Sequence, residues 1–233
     1  MLRKVKRGKG NRDTESIESF KYAINNKLIV VNKMVISHNL SKKIMLILLK
    51  DFCSEHTVTS LAKRLSVSRV GIWKALRKLE SEELIILEQI GNGRTSVYRI
   101  RLNWKNVLTE RELSLYLTQE ALRQKRWRWD FCELERNIDF TLLFGSILTL
   151  PKKANDIDMI NVVSNKKGFA KIDGIIKKKQ VTQLNKIHDI NLTLREFRDE
   201  LSKPNKAFVD AVKTGVVLFG QEKFVKFIKA MQK

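Results

Sequence analysis

The sequence predicts an α+β fold in two parts, and three observations carry the prediction. Residues 41–82 repeat apolar side chains at three- and four-residue spacing, as helices do. Two strand-like runs, at 84–90 and 96–101, meet across Gly91-Asn92-Gly93, the composition a tight hairpin takes. A second pair of apolar runs, at 140–144 and 156–163, is followed by helical periodicity to the end, the pattern of a small mixed sheet backed by helices. The expected boundaries are a basic N-terminal arm and lead-in over 1–40, a helix-and-hairpin domain over 41–104, a connecting helix over 105–135 and a sheet domain over 136–233. No internal repeat is apparent.

Composition narrows the function classes. The 233 residues are 43% apolar with only two prolines, which fits a globular, mostly helical chain. Forty-six Lys plus Arg against 25 Asp plus Glu gives a net charge of +21. An excess of that size implies a polyanionic partner, with nucleic acid the leading one. Cys53 and Cys132 have no paired spacing, and His38, His56 and His188 are scattered, so neither a zinc site nor a disulfide framework is expected. No apolar run approaches the ~18 residues of a spanning helix, and residues 10–19 are polar where a signal peptide needs an apolar stretch. No membrane partner is expected, and the expected location is cytoplasmic.

Along the chain, Arg3, Lys4, Lys6, Arg7, Lys9 and Arg12 form a like-charge block that suits either phosphate contact or solubility. Leu28 to Val31 and Met34 to Ile36 suggest a short strand or turn pair. From Ser41 the pattern is sharper. Ser41 can cap a helix carrying Ile44, Ile47, Leu48 and Phe52, and Thr57 can open a second with Leu61, Ala62 and Leu65 inward. Ser68 can cap a third, whose Ile72, Ala75, Leu76 and Leu79 make a core stripe at i, i+3, i+4, i+7 spacing.

Three helices and a hairpin in that order resemble a winged helix-turn-helix domain. The resemblance implies that the third helix enters the major groove of double-stranded DNA, with its first residues at base edges and its cations on phosphates. Arg69 is the candidate for base or phosphate contact, Lys74, Arg77 and Lys78 for phosphate contact, and Arg94 at the hairpin tip for the adjacent groove or backbone. Trp73 on the same helix suits either DNA contact or packing. A homodimer on a two-fold site is a further implication of this resemblance.

Thr109-Glu-Arg-Glu112 has the form of a capping box and predicts a helix with Leu113, Leu117 and Leu122. Lys125-Arg-Trp-Arg-Trp129 is basic and aromatic, a composition that either stacks on bases or seals a joint between domains.

The chemistry-bearing stretch is Phe140 to Val163. Asp156 and Asp158 are two apart in a strand, so they aim at one spot, close to Gly145 and Ser146 across a connection of about ten residues. Paired carboxylates suit Mg²⁺, and a Gly-Ser turn suits phosphate oxygens. Gly-Ser, nine residues, then Asp-Ile-Asp resembles the signature of the minimal nucleotidyltransferases of the DNA polymerase beta superfamily. The similarity spans roughly 107–233, and members of this kind occur beside winged-helix domains in archaea.

The resemblance implies a nucleotidyltransferase-like domain in which Asp156 and Asp158 hold Mg²⁺. It also implies that Gly145, Ser146, Lys152 and Lys153 meet a nucleoside triphosphate, and that a third carboxylate stands on the strand near His188 to Leu194. If Asp189 takes that place the triad is complete; if Asn191 does, one charge is lost. The chain departs from the family in reading Ile147-Leu-Thr-Leu-Pro151 where a second glycine usually follows.

The remaining expectations are a helix over 169–184, a strand over 187–194, helices over 195–201 and from Pro204 to Gly215, a strand over 216–219 and a closing helix over 221–231. The expected function is a DNA-binding transcriptional regulator with a nucleotidyltransferase fold. The alternative is an active Mg²⁺-dependent nucleotidyltransferase with a nucleic-acid or protein acceptor, including an antitoxin-type role.

Overall fold

A computed structural model describes residues 39–92, 96–203 and 206–232. The chain divides into two units, Met1–Ser41 and Lys42–Lys233, and the second holds nearly all of the described residues. The basic block and the apolar pairs before residue 38 lie outside the description. The architecture is α+β with two separate sheets.

Helix α1 covers 39–50 and buries Ile44, Met45, Leu48 and Leu49. Ser41 lies inside this helix rather than at its cap, because the helical conformation is already present at 39. Helix α2 (Val58–Leu65) begins at Thr57 with a reciprocal capping box: the Thr57 hydroxyl accepts from the Ser60 amide and the Ser60 hydroxyl from the Thr57 amide. It stops at Ser66, whose backbone turns left-handed. Ser68 then caps α3 (Arg69–Ser81) by accepting from the Gly71 amide. The stripe Ile72, Ala75, Leu76 and Leu79 is buried, as the helical spacing predicts.

Strands β1 (Ile85–Ile90) and β2 (Val97–Leu102) pair antiparallel, with Ile85 opposite Leu102 and Ile90 opposite Val97. Gly91 opens their connection at φ 83°, a left-handed value that favours glycine. A bridge from Thr57 to Arg99 ties the start of α2 to this hairpin.

Helix α4 (Val107–Arg123) starts at Asn106, not at Thr109. The Asn106 side chain accepts from the Leu108 amide and donates to the Glu82 and Glu83 carbonyls, so it closes the helix and fastens it to the end of α3. Thr109 is fully buried instead. Short α5 (Lys125–Asp130) and a 3₁₀ turn (Cys132–Leu134) then lead to the second sheet.

That sheet has strand order β5-β4-β3-β6. Strand β3 (Phe140–Phe144) runs antiparallel to β4 (Asp156–Val163) and to β6 (Val216–Phe219), while β4 and β5 (Lys186–Thr193) are parallel. The helices between them are α6 (Ser146–Thr149), α7 (Phe169–Gln180), α8 (Leu194–Ser202) and α9 (Lys206–Thr214), and α10 (Gln221–Met231) closes the chain. One face packs Leu143, Ile157, Met159 and Ile187 against Ile172 and Ile176 of α7, with Trp127 and Phe131 alongside. Phe140 on the other face meets Phe197, Phe224 and Phe227 with ring centroids 5.4–5.7 Å apart.

The two sheets belong to one unit, held at a polar junction below α1. Lys50 donates to Glu120 at 2.6 Å and to the Gly215 carbonyl at 2.9 Å. Asp51 pairs with Lys213 at 2.9 Å and with Arg64 of α2. Among the described residues no helix is long and apolar enough to cross a membrane.

Candidate functional site

The exposed surface of α3 is built by the same spacing that buries its other side. Arg69, Val70, Lys74, Arg77 and Lys78 all face solvent, and Val70 is 66% exposed on the first turn. Among the described residues Arg69 and Lys74 have no hydrogen-bond or ion-pair partner. Arg77 stands apart from them: its guanidinium stacks over Trp73, 4.4 Å from the ring centroid, and holds Glu80 at 2.7 Å. Lys78 pairs with Glu82 at 3.8 Å. Trp73 itself leans on Tyr98 of β2, centroids 5.1 Å apart, so its ring joins helix to hairpin. Arg94 lies outside the described residues. The hairpin's other cations are engaged as well, Arg99 with Glu55 and Arg101 with Glu88.

The second cluster sits where β3 ends and β4 begins. Gly145 has φ 82° and ψ −162°, and a Cβ there would stand 2.3 Å from Asp158 Oδ2. The φ favours glycine, since no L side chain rests easily there, and an added Cβ would also push the Asp158 carboxylate aside. Ser146 opens α6 as an exposed residue, its carbonyl accepting from the Leu150 amide at 2.7 Å. Lys152 and Lys153 are exposed in the turn that follows, without ion-pair partners among the described residues.

The parallel register of β4 and β5 decides what faces Asp156 and Asp158. Asp158 stands beside His188 and Asp156 beside Lys186. His188 reaches both carboxylates, with Nδ1 3.6 Å from Asp158 and Nε2 4.0 Å from Asp156. Asp189 is level with Met159 and therefore points to the opposite sheet face. There it accepts from the Asn191 amide at 2.9 Å, and the same amide donates to Asp173 of α7.

The expectation that Asp189 or Asn191 joins the carboxylate pair is thus corrected. Alternation along the strand turns both away, and an imidazole stands where the third carboxylate was expected. Asp156 and Asp158 supply the oxygen donors that Mg²⁺ takes, whereas His188 is a nitrogen donor of the kind softer divalent ions prefer. No group of three or more His, Cys, Asp or Glu arranged to hold a metal ion occurs among the described residues.

Compared with known proteins, the sequence matches no family model and no curated protein. Two solved structures of Lactococcus lactis ZitR overlap part of it, each with a TM-score of 0.30. A cysteine-to-serine mutant is 22% identical, over 40% of this chain and 61% of that one. A double mutant in apo form is 23% identical, over 46% and 81%. Overlap at this level sets neither fold nor function.

The tryptophans after α4 divide their roles. Trp127 is buried against Phe131, centroids 6.4 Å apart, and Arg128 reaches the Leu218 carbonyl while its guanidinium lies over Phe219. Trp129 is 80% exposed. His188 and Trp129 are among the residues that sequence reasoning left without a settled role. A correct β5 register would have found the first, but three polar residues within 188–191 leave either parity plausible in a strand.

Proposed function

We propose that this chain binds double-stranded DNA through α3 and the β1–β2 hairpin, as a winged helix-turn-helix regulator of transcription. The observation that carries the reading is the free pair Arg69 and Lys74 on the first turns of an exposed helix, in a chain of net charge +21. Such a helix fits a major groove, and cations without an internal partner can replace condensed counterions on phosphates.

The test is a salt titration of duplex DNA binding. Each lost phosphate contact lowers the slope of log K against log salt by ~0.9, so Arg69→Ala with Lys74→Ala lowers it by ~1.8. Arg77→Ala changes it far less, because Trp73 and Glu80 already hold that guanidinium. Equal slopes for wild type and the Arg69/Lys74 variant would overturn the reading.

A second reading rests on Asp156 and Asp158 beside Gly145: nucleotidyl transfer with Mg²⁺ held by the two aspartates and a nucleoside triphosphate near Ser146, Lys152 and Lys153. Bound Mg²⁺ would neutralise developing charge on a transferred phosphoryl group. Two carboxylates rather than three stand on that face, which favours the regulator as the first reading. Labelled-nucleotide incorporation that disappears in Asp156→Ala/Asp158→Ala would reverse the preference.

A further inference from the structure

A cavity of about 480 Å³ lies where the end of α1, the β1–β2 hairpin and Gln232 meet. Its size is within the roughly 300–1,000 Å³ that small-molecule sites occupy. Leu48 and Phe52 line it from α1 and the turn beyond, Ile86 and Ile100 from the hairpin, and Trp104 from the segment before α4. The Trp104 wall is held in place: its indole Nε1–H donates to the Gln232 side chain at 2.7 Å, and the Gln232 amide donates to the Leu48 carbonyl at 3.4 Å. Lys229 stands 5.9 Å from the centre of the same ring, but its ammonium is bound to the Trp104 carbonyl and to Glu110. No residue of α3 and neither Asp156 nor Asp158 lines this cavity.

Charge around the cavity is unbalanced. Arg99, Arg101 and Lys105 line it against two carboxylates, Glu55 and Glu88. Both carboxylates are taken by arginines. Arg99 Nε is 2.5 Å from Glu55, and Glu88 lies 3.8 Å from Arg99 and 3.5 Å from Arg101. His56 is turned to the Asp51 carbonyl, with its Nε2 2.9 Å away. The Lys105 ammonium has no ion-pair or hydrogen-bond partner among the described residues. One unanswered cation beside apolar and aromatic walls suits one negative charge on an apolar body. A cationic ligand would have to displace an arginine from its carboxylate, and a polyphosphate would bring more charge than Lys105 can answer.

We propose that this cavity binds a small amphipathic carboxylate, with its apolar body against Phe52, Ile86 and Trp104 and its head on the Lys105 ammonium. The site is separate from the DNA-facing surface of α3, and its test needs no DNA.

The test titrates the full chain, ¹⁵N-labelled, with octanoate and follows the indole N–H resonances by NMR. The resonance lost in Trp104→Phe identifies the Trp104 indole. Octanoate is expected to move it along a saturating curve with a Kd of about 1 mM or tighter, a level within reach of a ligand this small. Octanol has the same body without the charge and binds about fivefold more weakly, the share of an exposed ion pair. Octylammonium binds more weakly still. Lys105→Ala lowers octanoate to the level of octanol. Ile86→Trp, at a position 40% exposed and so able to take the larger ring, closes the cavity to both. An indole unmoved up to ~5 mM octanoate, well above that Kd, overturns the proposal. So does octylammonium binding as tightly as octanoate, or an octanoate affinity that either variant leaves intact.

Discussion

Replacing Asp51 by Asn removes one charge from the junction below α1 and leaves the side-chain volume almost unchanged. Asp51 is 5% exposed, accepts from the Ser54 hydroxyl at 2.6 Å, and pairs with Arg64 and Lys213. Burial alone would raise its pKa, but the hydrogen bonds from Ser54, Lys213 and Arg64 outweigh burial and hold it below the ordinary 3.8. Hydrogen bonds to a charged group contribute about 1.5–3 kcal/mol each. The partners here are 38% and 25% exposed, so water screens part of that, and the loss is set at about 2–3 kcal/mol in total. For a unit of this size the melting temperature should fall by about 4–12 °C.

Because the folded pKa is the lower one, the stabilisation is complete above 3.8 and fades as pH drops through the folded value. Urea denaturation of wild type and variant from pH 8 to pH 3 checks both statements. The gap should stay level from pH 8 to 5 and shrink only in acid. No gap at pH 7, or a gap that closes between pH 8 and 5, would refute the assignment of the stability to this carboxylate.

Three further outcomes follow from local geometry. Gly145→Ala should cost about 1–3 kcal/mol in urea denaturation, the range for a side chain forced into a glycine-only region. Gly174→Ala, in α7 with nothing within 4 Å of the added carbon, should be neutral or stabilising by up to ~1 kcal/mol. An indifferent Gly145→Ala would mean that the turn relaxes without moving Asp158. Glu196 is held down to about 2, first by the Lys166 ammonium and then by the amide and hydroxyl of Thr193, which it caps. NMR titration should find its carboxyl near that value in wild type and closer to 4.5 in Lys166→Ala; an unmoved titration would exclude the lysine as the main cause.

Helices α2, α3 and α10 and strand β6 were legible in the sequence because local chemistry decides them. Ser68 and Thr57 cap where they stand, and Phe224, Phe227 and Ile228 fall on one buried side of α10. The start of α4 was not legible, because Thr109 has the right local signature and lost to Asn106 only through carbonyls more than twenty residues earlier. Asp156 and Asp158 share a face by strand alternation, which any strand imposes. Which residue of β5 joins them depends on long-range pairing. Gln180 accepts from the Ile187 amide and the Lys186 amide donates to the Asn155 carbonyl, and neither contact has a sequence signal. The free state of Arg69 against the engaged state of Arg77 is of the same kind, since it rests on where Trp73 lies.

The row Thr141, Asn161 and Asn191 crosses three strands within the sheet. The Thr141 hydroxyl donates to Asn161 at 2.7 Å and the Asn161 amide to Asn191 at 3.1 Å, with Thr141 and Asn161 both 0% exposed. A slip of β5 by one residue would set Asn161 against an apolar neighbour and leave its buried amide unsatisfied, at about 1–3 kcal/mol. The row therefore acts as a key that admits one alignment of the strands. No small adjustment of the backbone can exchange His188 for Asp189 at the sheet's edge, so a third carboxylate there would have to arrive by substitution at position 188 itself.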